Sequence, residues 1–591
     1  MNLNLYKYTA NRTLVFIRKI LCLGNQRRAI AVIGYAAILG LLLKIVWGMW
    51  EWRDLTYGDT SFYNLNAHEW LQGGRFKRSS DLSFSPLYTV FYSWFIGAFT
   101  SDYAATICHR LAILFILGPA ILLLCRLALP RGVAWFIAAW WVVLPINWNS
   151  LYEVHLFALI MFVAGSCFAG LRDSTFARAS GVACFFAGSL LVRNEFLLAT
   201  GLLGAASAAW EFRSWKKSGN SVTSLARQLF KLAAPSLVVL LVSAFIFRSS
   251  FHSWKQVLAD FNDRQRLNIS QVYAFSYQQR HPEWTKNPWA DGNELLKQDF
   301  GTTEVTFGTL VRTNPRAFWE HVGWNLRLLP SGLQLGMFNC FSGRDTPDFI
   351  EFKGGSKFAK VASAIFCVVI GAGIVCFLRR KVLWLRFLRG RRAWCWFAMA
   401  TTLVPSMVAI VTQRPRPSYI FMMSLFLMML AGLCFSAVLK QLRVNRFFNS
   451  LSPLLAVPVI LFAQSKKDTA QIYSGRPYFQ IYQRLYPFRS VFANERTVYG
   501  AERSPSDILM YLGRRFGPDL AHALSPSSQD GTGAAFGQFL SDAKITLLYL
   551  DFDSLERLAV KEWLASGDAD QWSVLAKHDY PSEKWLLVQK R

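Results

Sequence analysis

Apolar residues recur in nearly uncharged runs of about twenty along most of this 591-residue chain, separated by short polar or basic stretches. A run of that length crosses the roughly 30 Å hydrocarbon core of a bilayer as one α-helix. The pattern predicts spans at about 29–50, 104–128, 132–147, 150–170, 176–192, 194–210, 230–248, 358–378, 394–411, 417–438 and 450–464. Between spans the periodicity changes. Phe62, Tyr63, Leu65, Ala67, Trp70 and Leu71 recur at helical spacing, so 60–72 should form an amphipathic helix lying in the interface, closed by Gly73 and Gly74. Residues 315–324 read the same way. The aromatic-rich run 84–100 is read as an interfacial or partly re-entrant helix rather than a twelfth span. Beyond about residue 464 no span follows, and 545–550 and 585–588 read as strands between helical segments.

These elements describe a polytopic α-helical membrane protein of about eleven transmembrane helices, N-terminus inside and C-terminus outside. Residues 1–464 form the transmembrane domain, with outer loops 51–103 and 249–357. Residues 465–591 form an external α/β domain.

Charge supports that topology. The net charge of +28 would point to nucleic acid in a soluble chain, but 53% of the residues are apolar and the mean hydropathy is +0.25. The six segments assigned to the cytoplasm (1–28, 126–131, 172–178, 211–231, 379–392 and 440–446) hold 25 lysines and arginines against only Asp173 and Glu211. Outside them 39 basic and 34 acidic residues nearly balance. This is the positive-inside pattern, and counting 84–100 as a span would reverse it. The charge belongs to topology, not to a nucleic-acid partner. The basic segment 1–28 reads as a helix on the anionic inner leaflet and lacks a cleavage pattern, so the first span is expected to remain as an anchor.

Cysteine adds little. Most of the ten fall in or beside spans, and Cys340 alone would face outside, so no intrachain disulfide is expected there. No pair or cluster has zinc-ligand spacing.

Candidate chemistry gathers on the outer face. Asp59 stands where an N-cap of the 60–72 helix would sit, and on local grounds capping and catalysis are equal readings. Arg75, Lys77 and Arg78 form a basic cluster outside the membrane, against the prevailing charge pattern, suited to a lipid-linked phosphate or to water. Glu153 and His155 open the outer end of an otherwise apolar span, where ionisable groups face a cavity or a partner. Arg193 and Glu195 lie between two apolar helices, and an ion pair is the plain reading. Arg414 and Arg416 sit on a turn stiffened by Pro415 and Pro417 and followed by Tyr419, a place for an anionic headgroup or for snorkelling side chains.

Taken in order, Gly58-Asp59 with Tyr63 and Gly73-Gly74, Pro86-Leu87-Tyr88, Arg110, Glu153, Arg193-Asn194-Glu195 and the Arg416…Tyr419 turn resemble the GT-C superfamily of polytopic glycosyltransferases. The likeness is to the bacterial branch holding the protein O-mannosyltransferases and the aminoarabinose transferase of lipid A. It implies an inverting transfer from a polyprenyl-phosphate sugar to an acceptor hydroxyl on a lipid, polysaccharide or protein, at the outer face of a bacterial inner membrane. Asp59 would be the base. Tyr63, Lys77, Arg78, Glu153, His155, Arg193, Glu195, Arg414, Arg416 and Tyr419 would bind substrate. The chain departs from the family at Thr60, where a second acid is common, at Ser85-Pro86 in place of Pro-Pro, and at Asn194 in place of proline. With Thr60 there, no metal ligand is assigned. A divalent cation stays an open option, and no other cofactor is implied. Two other classes remain in view. A flippase of lipid-linked sugars would share the phosphate contacts, but the chain shows no internal repeat of the kind transporters carry. A non-catalytic membrane scaffold would fit the missing acid.

Overall fold

The computed structural model describes residues 25–47, 60–76, 85–99, 101–147, 153–219, 221–250, 254–301, 306–349, 353–379, 391–442, 477–492, 497–501, 531–580 and 583–591, with 508, 512 and 521–524. Asp59, Lys77, Arg78 and the expected span at 450–464 lie outside them, as does the side chain of Glu153.

In chain order the helices up to residue 300 are α1 (Asn25–Val46), α2 (Thr60–Gly73), α3 (Pro86–Ala98), α4 (Asp102–Ala128), α5 (Arg131–Val142), α6 (Glu153–Leu171), α7 (Thr175–Leu191), α8 (Leu197–Ser218), α9 (Val222–Phe247), α10 (Trp254–Arg280) and α11 (Pro288–Phe300). They are followed by α12 (Phe307–Thr313), α13 (Pro315–Phe338), α14 (Lys357–Arg379), α15 (Arg391–Thr401), α16 (Leu403–Thr412) and α17 (Pro417–Gln441).

Among the described residues six helices are long and apolar enough to cross a membrane: Asp102–Ala128, Val154–Leu171, Val222–Ser250, Lys357–Arg379, Arg392–Thr412 and Pro417–Gln441. Ala31–Val46 and Thr175–Leu191 are shorter apolar helices. The span expected at 132–147 is the 12-residue α5 followed by a 3-10 turn at Pro145–Asn147. The one expected at 194–210 starts with a 3-10 turn, Asn194–Phe196, before α8. The doubtful run 84–100 is the 13-residue α3. At 1.5 Å per residue that helix is about 20 Å long, short of the bilayer core. The chain is an integral membrane protein.

The described residues divide into two compact units, each assembled from several stretches of chain. One gathers α1, Ala112–Ile246 and Phe261–Ile472. Its tightest packing comes from missing side chains. A Cβ on Gly181 of α7 would stand 2.8 Å from the Gly165 carbonyl oxygen of α6, and one on Gly165 would stand 2.6 Å from the Phe185 ring. Without a hydrophobic drive between helices inside lipid, close backbone contact of this kind supplies the packing energy. Ser174 caps α7, accepting from the Ala177 amide at 3.2 Å. Beside this cap Arg178 is buried, donating to Asp173 at 2.8 Å and to Glu211 at 2.5 Å, with its guanidinium 5.2 Å from the Trp394 ring. The two acids that interrupt the basic loops of the sequence are therefore the partners of one buried cation.

The other unit gathers Gly48–Leu111, Phe247–Asp260 and Tyr473–Arg591. Its C-terminal part carries a five-stranded sheet. In chain order the strands are β1 (Tyr499–Ala501), β2 (Ala521–Ala523), β3 (Leu547–Leu550), β4 (Trp572–Tyr580) and β5 (Glu583–Lys590), and they lie in the order β2-β1-β3-β5-β4. β1 pairs parallel with β2 and β3, and β5 pairs antiparallel with β3 and β4. β3 is central and has no polar face. Leu547 and Tyr549 pack with Tyr499 and Leu587 on one side, and Leu548 and Leu550 pack with Phe536 and Trp563 on the other. Burial on both faces turns period-2 alternation into a continuous apolar run. That run is the strand expected at 545–550.

Two stability predictions follow from the first unit. Gly181→Leu should overpack the α6–α7 contact and cost about 1–3 kcal/mol. It should appear as a lower thermal midpoint of the purified protein in detergent, with Gly204→Leu, whose Cβ would meet only Val182 at 3.8 Å, nearly neutral. Glu211→Ala should cost about 3 kcal/mol because it leaves the buried guanidinium only the half-exposed Asp173 as a carboxylate partner, whereas Arg178→Met combined with Glu211→Leu should cost clearly less in the same melt.

Candidate functional site

The Arg414–Tyr419 turn and the segment 346–349, between α13 and α14, build the polar centre of the first unit. Pro417 opens α17, so Arg416 is held in extended backbone at φ −66°, ψ 144°. Its Nε donates to Asp348 Oδ1 at 2.9 Å, and its guanidinium lies 4.1 Å from the Phe349 ring centroid and 5.4 Å from that of Tyr419. Asp348 is only 1% exposed, and the Phe349 amide also donates to its Oδ1 at 2.7 Å. The cation thus has a carboxylate on one edge and aromatic faces beside it, a setting in which attraction exceeds its value in water.

His155 near the start of α6 joins this group. Its ring lies 6.2 Å from Tyr419 and 5.7 Å from Phe421, within electrostatic reach of Arg193 and Arg416. Arg193 stands between α7 and α8, where its Nε donates to Glu195 Oε1 at 2.6 Å. The expected ion pair is present. The structure therefore brings His155, Arg193, Arg416 and Tyr419 to one region at helix ends, with Glu195 attached through Arg193. A cavity of about 20 Å³, room for one water molecule, adjoins it, lined in part by Asn147, His155, Ser418 and Ser424.

Arg414 has a different setting from Arg416. It is fully buried, and its donors go to protein acceptors: Nε to Pro347 O at 3.1 Å, Nη2 to Gln279 Oε1 and Thr346 O at 2.7 Å each, and Nη1 to Ser276 Oγ at 3.5 Å. Burial pulls its pKa down to about 10 while Asp348 opposes the shift, so it stays a cation at neutral pH. Asn325 of α13 donates to Gln413 O at 2.7 Å and to His321 at 3.1 Å. Burial, helped by the positive charge of Arg280, drives the His321 pKa down to about 3, so that ring is neutral. The α13 backbone reaches the turn directly. A Cβ on Gly332 would stand 2.1 Å from Pro415 O, so only glycine fits there.

In the second unit Tyr63 is buried on α2 with its ring 4.8 Å from Tyr88. Asp59 is the residue immediately before α2. Asn64 and His68, one helical turn apart, both donate or share a proton with Asp102 Oδ2, at 3.2 Å and 2.7 Å. Arg110 is buried in the same unit.

Sequence reading did not single out Asp348, Gln279, Asn64, His68 or Asp102. The signal for the last three was present in part: Asn64 and His68 put polar groups on the buried edge of an amphipathic helix. Among the described residues no group of three or more His, Cys, Asp or Glu side chains is placed to hold a metal ion.

No family model and no curated protein matches the chain. Among solved structures it is similar to an oligosaccharyltransferase of Archaeoglobus fulgidus in the apo form, with 12% identity and a TM-score of 0.46 over 95% of this chain and 74% of that one. It is likewise similar to the oligosaccharyltransferase AglB from Archaeoglobus fulgidus in complex with an inhibitory peptide and a dolichol-phosphate, with 13% identity and a TM-score of 0.45 over 96% and 75%. A third likeness is to ArnT from Cupriavidus metallidurans bound to undecaprenyl phosphate, with 12% identity and a TM-score of 0.33 over 94% and 97%.

Proposed function

We propose that this chain is an inverting glycosyltransferase of the GT-C type, moving a sugar from a polyprenyl phosphate to an acceptor hydroxyl at the outer face of a bacterial inner membrane. The observation that carries this reading is the cluster of His155, Arg193, Arg416 and Tyr419 at the ends of membrane helices. A lipid phosphate needs cations at that depth, and Arg416 and Arg193 supply them. The ordered motifs from Asp59 to Tyr419 add the rest of the reading, together with eleven spans, N-terminus inside, and an external C-terminal α/β domain from residue 465.

In the proposed reaction the Asp59 carboxylate takes the proton of the acceptor hydroxyl as its oxygen bonds to the anomeric carbon. The bond from that carbon to the phosphate oxygen breaks on the opposite face, and its electron pair leaves on the phosphate. Arg416 and Arg193 stabilise the charge that develops there. Lys77 and Arg78 add positive charge from the first outer loop, and Glu153 and Glu195 orient the arginines or the acceptor. Arg414 fixes the outer loop on which Asp348 and Phe349 stand. No step is routed through a metal ion.

The test uses the purified full-length protein, a panel of undecaprenyl-phosphate sugars and a lipid extract as acceptor, and measures release of undecaprenyl phosphate by mass spectrometry. Asp59→Asn should remove about 10²–10⁴ of the rate while the thermal midpoint stays within error; near-normal release would take Asp59 out of the mechanism. Arg416→Gln should cost about 10²–10³ in kcat, as for loss of one charge-stabilising donor, with Arg416→Lys recovering only part because the stacked, planar guanidinium is lost. Movement of labelled lipid across vesicles without covalent product would replace the transferase reading by that of a flippase.

A further inference from the structure

Beside Arg416 stands a group of aromatic rings that the proposed reaction does not use. Phe349, whose ring centroid lies 4.1 Å from the Arg416 guanidinium, is 4.8 Å from the ring of Phe275 on α10 and 5.2 Å from that of Trp289 on α11. Phe275 and Trp289 close the triangle at 5.0 Å. The indole meets the two phenyl rings at 76° and 72° and stacks flat on neither, and Trp289 keeps 51% of its surface exposed. A lone exposed apolar residue is ordinary. This one is rigidly mounted. Asn287 caps α11 by accepting from the Trp289 amide at 2.9 Å, and Asp291 accepts from the Asn287 amide at 2.8 Å. Pro288 fixes the backbone just ahead of the indole. A Cβ on Gly292 would stand 2.8 Å from Ser270 O, so glycine there lets α11 lie directly against α10 and keeps the indole beside Phe275. A ring fixed in advance loses little side-chain entropy when it takes up a ligand.

The surroundings of the indole select its ligand. Gln271 of α10 donates to Trp289 O at 3.4 Å, and Lys286 pairs with Glu294 at 3.3 Å across the start of α11. The ring is therefore presented among amides and charges, a setting that suits a molecule with one apolar face and a polar rim better than a hydrocarbon chain. A pyranose is such a molecule. Its ring C–H groups can meet the negative face of the indole while its hydroxyls stay free for amides or water. Position agrees with chemistry. Phe349 bridges the Arg416 cation and the indole, so the two are no farther apart than its two centroid distances laid end to end. A phosphate oxygen paired with a guanidinium stands about 2.8 Å from its nitrogens, and the sugar of a sugar phosphate begins one bond beyond the phosphate group.

We infer that Trp289, backed by Phe275 and Phe349, is the platform for the donor sugar, gripping the pyranose while Arg416 holds the phosphate that carries it; the assignment rests on Arg416 being the phosphate ligand of the proposed reaction. Trp289 then tells a sugar-charged lipid from the bare lipid phosphate. Transfer removes the sugar, so the spent lipid phosphate loses this contact and leaves more readily than the donor.

The experiment measures Kd for undecaprenyl phosphate and for each member of a panel of undecaprenyl-phosphate sugars, with purified full-length wild type, Trp289→Ala, Trp289→Phe and Trp319→Ala, and follows undecaprenyl phosphate release on the same samples. At least one charged lipid should bind wild type about 3-fold to 10-fold more tightly than undecaprenyl phosphate, the range that one aromatic contact is worth. Trp289→Ala should lose that preference and leave the Kd for undecaprenyl phosphate within about twofold, while Trp289→Phe, which keeps a smaller ring, should retain part of it. Trp319 of α13 is another exposed indole, 60% open, and Trp319→Ala should alter neither Kd. A preference that survives Trp289→Ala overturns the inference. So does a wild type that prefers no charged lipid, and so does an equal weakening of bare and charged lipids by Trp289→Ala, because the ring would then be supporting Arg416 rather than the sugar. Release separates this inference from the transferase reading. A preference that Trp289→Ala abolishes, beside a wild type that transfers nothing, keeps the sugar platform and removes the transferase; transfer by wild type with the preference intact in Trp289→Ala does the reverse.

Discussion

An ionised group at the edge of a hydrocarbon layer loses several kcal/mol of hydration unless a partner replaces the water. Much of the described polar architecture answers to that constraint. Arg178 has Glu211 and Asp173, Arg416 has Asp348, Arg193 has Glu195, and Asp102 has His68 and Asn64. All but the local Arg193–Glu195 pair join stretches of chain that apolar packing alone would leave free to slide, since lipid tails are as apolar as the helices they surround. Arg178 ties α7 to α8 in this way. Arg416 and Arg414 tie the α16–α17 turn to the connection between α13 and α14 across 67 or 68 residues of sequence. The directional bonds set register, and the glycine contacts at Gly181 and Gly332 set distance.

The two neighbouring arginines show how the same residue type is given two duties. Arg414 and Arg416 lie two residues apart on either side of Pro415, yet their side chains have separate surroundings. Arg414 is surrounded by carbonyl and amide oxygens that hold 346–347, and a ligand would have to displace four bonds to reach it. The contacts of Arg416 include the Asp348 carboxylate and the Phe349 and Tyr419 rings, and a phosphate can exchange with a carboxylate at similar geometry. That difference is why the proposed reaction draws on Arg416 for the phosphate and on Arg414 for holding 346–347.

Much of the local structure was legible before any coordinates. The period of Phe62 to Leu71 marks α2, the aromatic run marks α3, and the apolar 545–550 run marks β3, because each signal resides in one short stretch. The pairings were not legible. Asp102 finds His68 across 34 residues and Asp348 finds Arg416 across 68, and no local pattern names a partner that far away. The expected capping role of Asp59 falls outside the described residues, while Arg193 and Glu195, two positions apart, were readable as a pair for the opposite reason. The short α5 shows a further limit: composition gives an apolar run, but Pro145 and the 3-10 turn decide where its helix stops.

Transfer from a lipid phosphate asks for two things that oppose one another. The leaving group needs concentrated positive charge in a poorly solvated place, where a cation acts most strongly. The base needs to remain an ionised carboxylate, which the same poor solvation disfavours. A helix N-terminus reconciles them, since its unpaired amides favour negative charge without adding another mobile cation. The start of α4 is such a place for Asp102. Arg193 and Arg416 instead stand beside carboxylates and rings that hold their charge ready without neutralising it by proton transfer.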